Sequence, residues 1–393
     1  MRCASQAVAY SPADRQHIAR DFATVDQADD DPARWFGRLL GLPAGARNDV
    51  PPEVQRVLNA LRNLYPQSLF DQLRDCKGRK IRREFALYSA TDINAFVARH
   101  KDTYVLGLCA GLCRALRSIA YALLSHPNMF RDVGDPSKEQ HEDIGLQFLF
   151  ARWPAAELPV RPRCSSRALY AEAMISAMIY YVMHHEFLHM YYGHVDFFGR
   201  GRVLPIILES AGKNNLTSKS DVYRHISEIE ADGGAWRSLF ERHALPFFRA
   251  AYPQLALGIA DWSRLFFNAM FLVTAVWVLL DYGPELAAEA WRDWSTYPAG
   301  VIRARALYRS PSVDATFVAS LPQEVRTNLA EGFSRCSNDL KDVAAAFGEL
   351  EFLGRLGSKS WDEPVGQYFD NVIGPHLAHF HETVDAFRPR PPA

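Results

Sequence analysis

The sequence predicts an α+β fold that is predominantly helical, with one small sheet. Long stretches carry apolar residues at helical spacing. Only two short segments, 81–88 and 104–108, have the compact apolar runs that suit strands. Of the 393 residues 48% are hydrophobic and 23% charged, ordinary globular composition that argues against a disordered chain.

In chain order, the run Asp29, Asp30, Asp31 before Pro32 reads as a turn, and 35–40 as an amphipathic segment. Pro51 and Pro52 open a helix in which Val54, Val57, Leu58, Leu61 and Leu64 share a face. The strand segments follow, then an apolar helix over 112–124 and a polar loop over 126–143. The longest helix is expected over 167–192, capped by Ser165 or Ser166 and ended by Gly193. It is apolar nearly all the way round, so it should cross the interior. A loop-rich insertion over 199–220 leads into a second helix over 222–243. The C-terminal third reads as helical, with a frayed RPRPPA tail. These elements suggest an N-terminal helical region (1–80), a central domain (81–310) and a C-terminal helical region (311–393).

The charge excludes one class of function. With 44 basic and 45 acidic residues the net charge is -1, so no basic face for nucleic acid is expected. Six scattered cysteines, none in a CxxC pair, read as reduced thiols. The start has no apolar signal-peptide core, and the setting expected is the cytoplasm. The uncharged run from Leu265 to Leu280 would span about 24 Å as a helix, against a hydrocarbon core of about 30 Å. It also contains Asn268 and Thr274, and it reads as a buried core helix rather than a membrane span.

The long helix carries His185-Glu186-Phe187-Leu188-His189. Histidines four apart lie on one face, so both imidazoles can reach one ion. Glu186, one step round, is placed to deprotonate a water on that ion without binding the ion itself. Zn2+ is the metal this pattern calls for, because it lowers the pKa of such a water to about 7. Three polar side chains among Met, Ile and Tyr are costly to bury unless satisfied, and a metal satisfies them.

A third ligand of the metzincin kind would be a His ten positions after the first ligand, with Gly at the seventh; here His194 and Gly193 fall at the ninth and eighth. The second helix offers Glu228 and Asp232 on one face, with Glu230 turned away. Glu228 completes a His2Glu set with a position left open. Asp232, one turn on, can accept the Nδ1 proton of a ligating histidine and orient its ring.

HEFLHMYYGH followed by EIEADGGA resembles the HExxH…ExxxD gluzincin metallopeptidases related to the HtpX and CAAX-prenyl-protease family. Ile93-Asn94-Ala95-Phe96 with Tyr104-Val105-Leu106-Gly107-Leu108 is similar to the strands that precede HExxH there, and Ser295-Thr296-Tyr297-Pro298 with Arg303 to its STHP…R segment. The resemblance touches roughly residues 90–310 in four patches. It departs at Tyr297, where the family has His, in some 40 loop-rich residues before the metal helix, and in lacking the paired membrane spans. A soluble neighbour of the phage-exclusion Lit peptidase type is implied.

The resemblance implies a zincin-like core and a zinc endopeptidase acting on a protein or peptide. The 94–96 strand would border the cleft and pair with extended substrate, with Asn94 near the site. Arg303 would steady Glu228, Asp232 or the oxyanion, with a surface salt bridge as the equal alternative. Tyr191, Tyr192, Tyr223 and His225 are candidates for oxyanion support but read more simply as packing. His184 and His194 read as satisfied neighbours. His376, His379 and His381 read as an exposed polar helix rather than a second metal site. Two other readings stand beside the enzyme: a partner-binding regulator with a structural zinc, and a membrane-associated protease.

Overall fold

Pro52 opens α1 (Pro52–Leu64), whose Val54, Val57, Leu58 and Leu61 are buried as their spacing requires. The structure is a computed structural model that describes residues 33, 52–64, 70–88, 94–139, 161–199, 206–208, 219–240, 244–286, 303, 315–347, 350, 353–354 and 366–391. The segments expected at 29–32, 35–40 and 295–298 lie outside the described residues, as does Ile93. The described residues are mostly helical with one small mixed sheet, an α+β chain.

Three strands follow α1: β1 (Arg82–Tyr88), β2 (Ala95–His100) and β3 (Thr103–Cys109). Next come α2 (Ala110–Ser125), α3 (Ser165–Tyr191), α4 (His194–Phe198) and the short β4 (Ile206–Leu208). The sheet runs β1-β3-β2-β4, with β1 parallel to β3 and both partners of β2 antiparallel to it. Every residue of β2 and β3 is buried, which suits a sheet packed beneath α3. β4 falls inside the stretch expected as loop; three residues are too few to show alternation in a sequence.

The 27 residues of α3 span about 40 Å. Around this helix pack α1, α2, α5 (Lys219–Phe240) and α7 (Ile259–Leu286), with α6 (Ala244–Ala251) beside α5. That enclosure explains why α3 lacks a polar face. Its N-cap is Cys164 rather than Ser165 or Ser166, which lie in the first turn. Just before the helix, Glu139 accepts the N–H groups of Arg163 and Cys164 at 2.9 and 3.0 Å.

Arg167, in the first turn of α3, is completely buried. Its guanidinium donates to five main-chain carbonyls, those of Leu124, His126, Met129, Phe130 and Val133, at 2.7–3.0 Å. This clamp fixes the turn leaving α2, where Phe130 holds a left-handed φ of 47°. Arg167→Met should lower stability by at least about 3 kcal/mol, because the carbonyls stay buried with no donor. Thermal and urea unfolding measure it, and a loss under about 1 kcal/mol would contradict the clamp.

The apolar run beginning at Leu265 lies in α7, the one described helix long and apolar enough to cross a membrane. Within the fold 89% of its most apolar window is buried, against α3 and α9 (Gln323–Ala346), which follows α8 (Ala315–Ser320). Its polar residues have partners: Asn268 donates to Asp339 at 2.8 Å, and Arg264 meets the same carboxylate at 2.6 Å.

One core cluster runs from Val54 to Leu353 and draws on all three expected regions. A second joins Val222, Tyr223 and Ile226 of α5 to Phe380 and Val384 of α10 (Gly374–Asp385). A π-turn over Phe369–Ile373 precedes α10.

A buried ion network ties the sheet to α4. Arg99 of β2 donates to Asp196 at 2.6 and 2.7 Å and also to Asp75, while Tyr104 of β3 donates to Asp196 at 2.6 Å. Burial alone would raise the Asp75 carboxyl, but bonds from Arg99 and Arg79 outweigh it and lower the value from 3.8 to about 2. A depressed folded-state pKa gives stability that is present above the unfolded value and lost as pH falls toward the folded one. Wild type should therefore exceed Asp75→Asn in stability most at about pH 5 and above, with the gap shrinking by about pH 3. Urea unfolding at both values checks this, and a gap that widens on acidification contradicts it.

Candidate metal centre

Two helices build the site. His185 and His189 sit one turn apart near the C-terminal end of α3, and Glu228 projects from α5 alongside. The helices approach closely at Gly234, where a Cβ would lie 2.5 Å from Leu188 Cδ1. Gly193 ends α3 with a φ of 82°, a left-handed conformation that glycine adopts without strain.

The Nε2 atoms of His185 and His189 are 2.9 Å apart. Glu228 Oε2 lies 3.2 Å from the first, and Oε1 lies 3.4 Å from the second. A tetrahedral ion with bonds of about 2.0–2.1 Å holds its ligands roughly 3.3 Å apart. Each imidazole thus faces one Glu228 oxygen at close to that spacing, one ligand atom from each of the three residues lies within 4.8 Å of the others, and a His2Glu set suits zinc. Among the described residues this is the one group of three or more His, Cys, Asp or Glu that could hold a metal. All three side chains are buried, as is Glu186 beside His185. Burial opposes ionisation of Glu228, but His189 and His185 outweigh it and hold the carboxyl well below its usual range.

The imidazoles are held from behind. Asp232 Oδ1 lies 3.0 Å from His185 Nδ1. Arg303 grips that carboxylate with both arms of its fork, Nε to Oδ2 at 2.6 Å and a terminal nitrogen to Oδ1 at 2.8 Å, and Tyr181 donates to Oδ1 at 2.8 Å. Burial would raise Asp232, yet Arg303 and His185 hold it at about 2. The Arg303 guanidinium lies 4.3 Å from the Trp277 ring centroid, so α7 closes this side. Arg303 thus steadies Asp232 directly, with Glu228 farther off at 3.7 Å. Tyr181 and Trp277 gave no signal in the sequence beyond apolar helix spacing.

On the other side, His189 Nδ1 lies 3.0 Å from His194 Nδ1, and His194 Nε2 lies 3.2 Å from Glu230. Burial lowers the His194 pKa to about 4. His184 is also buried, stacked on Tyr180 with rings 5.8 Å apart; burial, then His185, lowers it to about 3. Neither belongs to the group of three that could hold a metal, and His194 touches His189 of that group directly.

The other candidates fall elsewhere. His225 is bonded through Nδ1 to the Tyr368 hydroxyl, and Tyr223 packs on Phe380 with ring centroids 5.2 Å apart. Tyr191 is exposed, and Tyr192 lies under Arg388. His376 and His379 rest against Tyr223, whereas His381 bonds Glu230, so α10 is not simply a solvated polar helix. Asn94 stands just before β2, where its carbonyl accepts the Cys109 N–H at 3.0 Å. The edge expected to take substrate is filled in part, since β4 pairs antiparallel with 96–98. That pairing joins segments distant in sequence, which local pattern does not reveal.

No family model, curated protein or solved structure matches this chain.

Proposed function

We propose that the protein is a zinc-dependent endopeptidase of the HExxH…ExxxD gluzincin type, with a zincin-like core, acting on a protein or peptide. The observation that carries the reading is the convergence of His185 Nε2, His189 Nε2 and a Glu228 carboxylate at ligand spacing, with Asp232 behind His185 and Glu186 next to it.

His185, His189 and Glu228 would hold zinc, which when bound polarises a peptide carbonyl and makes hydroxide available near pH 7. Glu186 takes the proton of the attacking water and passes it to the departing amine. Asp232, whose Oδ1 lies 3.0 Å from His185 Nδ1, would take the Nδ1 hydrogen and leave Nε2 free as a donor to the metal. Arg303 keeps Asp232 ionised and oriented. Asn94, just before β2, would border an extended substrate.

Complete burial of the ligands favours a second reading, a structural zinc in a partner-binding protein, because structural sites are closed. A structural site needs no base at Glu186. Peptide hydrolysis by wild type and by Glu186→Gln therefore separates the two: loss in the variant supports the enzyme, and equal rates remove it.

A further inference from the structure

His189 and His185 are backed in different ways. His185 meets a carboxylate held by arginine; His189 meets a second imidazole. With His189 Nε2 committed to a metal, its Nδ1 carries the hydrogen and donates to His194 Nδ1. His194 then carries its own hydrogen on Nε2, the atom 3.2 Å from Glu230 Oε2. Glu230 Oε1 accepts in turn from His381 Nε2 on α10. Each tautomer fixes the next, and no link has two donors facing each other.

We propose that the C-terminal helix is an outer support of the metal centre, acting through His381, Glu230 and His194 on the ring of His189. This rests on the zinc reading of the site. His194, Glu230 and His381 are positioning residues, running from a fully buried imidazole to one whose side chain is 45% exposed.

The rest of the C-terminal segment is fitted to the same place. The Phe380 ring lies 5.7 Å from that of His194. The main chain at Phe387 and Arg388 passes so close to Gly193 that a Cβ there would come within 2.6 Å of Phe387 C and 2.8 Å of Arg388 N. Beyond it, Arg390 exchanges main-chain hydrogen bonds with Arg74 at 2.7 and 2.9 Å, anchoring the segment. Docking of α10 and orientation of His189 are thereby one event: a protein whose C-terminal helix lifts away holds metal less tightly.

The test is zinc affinity of the full chain by chelator competition, with visible spectra of Co2+-loaded protein alongside. His194→Phe, which keeps the ring packing, should weaken zinc binding about 10- to 100-fold. Glu230→Gln and His381→Leu should weaken it by smaller factors and shift the cobalt bands, while the metal-free His381→Leu melts like wild type. If His194→Phe does not fold, the other two variants decide. Wild-type zinc affinity and unshifted cobalt bands in both overturn the proposal. Glu228→Ala keeps the failures apart: should wild type bind no zinc, or bind it equally without Glu228, the site reading falls as well. Binding that needs Glu228 but ignores Glu230 and His381 overturns this inference alone.

Discussion

Glu186→Gln is expected to keep its metal and to lose peptide hydrolysis by about 10²- to 10⁴-fold, the usual worth of a positioned general base. The substitution keeps the shape but puts an N–H2 donor in place of one carboxylate oxygen and removes the charge, so the group can no longer take a proton. Glu186 is completely buried on α3 yet lies outside the group that could hold a metal. The loss should therefore appear in kcat, with zinc content unchanged. Loss of zinc in the variant would instead mean that Glu186 binds metal, and the assignment of base and ligand would have to be exchanged.

Glu228→Ala carries the second large effect. It removes one of the three proposed ligands, so zinc affinity should fall by more than the roughly 10- to 100-fold that loss of an outer partner costs. The two imidazoles would remain 2.9 Å apart with no carboxylate to complete the set. A bound metal stabilises the fold by mass action, about 2.7 kcal/mol when free metal is 100 times Kd, so zinc should raise the melting temperature of wild type and leave that of Glu228→Ala unmoved. Glu230→Ala is the control of choice, two residues away and facing His194. It should weaken binding less than Glu228→Ala; the reverse order would make Glu230 the ligand.

The site was legible where it follows helix periodicity. His185 and His189 share a face, and so do Glu228 and Asp232, because a four-residue step returns to the same side of a helix. The same spacing turns Glu230 away from Glu228 and Asp232, and its carboxylate meets His194. Periodicity stops at Gly193: its left-handed φ redirects the chain, so the place of His194 does not follow from its spacing to His189. His381 reaches the site only through the packing of α10 on α5, which no local pattern records. The sheet shows the same division. The apolar runs of β1 and β3 mark strands, whereas β4 is three residues in a loop-rich stretch and exists by pairing with 96–98. Composition also hid the buried charges. Arg167, Arg99 and Arg264 look like ordinary surface arginines in sequence, and each is satisfied by partners brought from elsewhere in the chain.

The most direct test of the central claim is the zinc content of the full-length protein, purified without added metal or chelator and measured by elemental mass spectrometry. A His2Glu site predicts about one zinc per chain in wild type and in Glu186→Gln, and little in a His185→Ala/His189→Ala protein. Wild type without zinc, or a double variant that holds as much zinc as wild type, would contradict it.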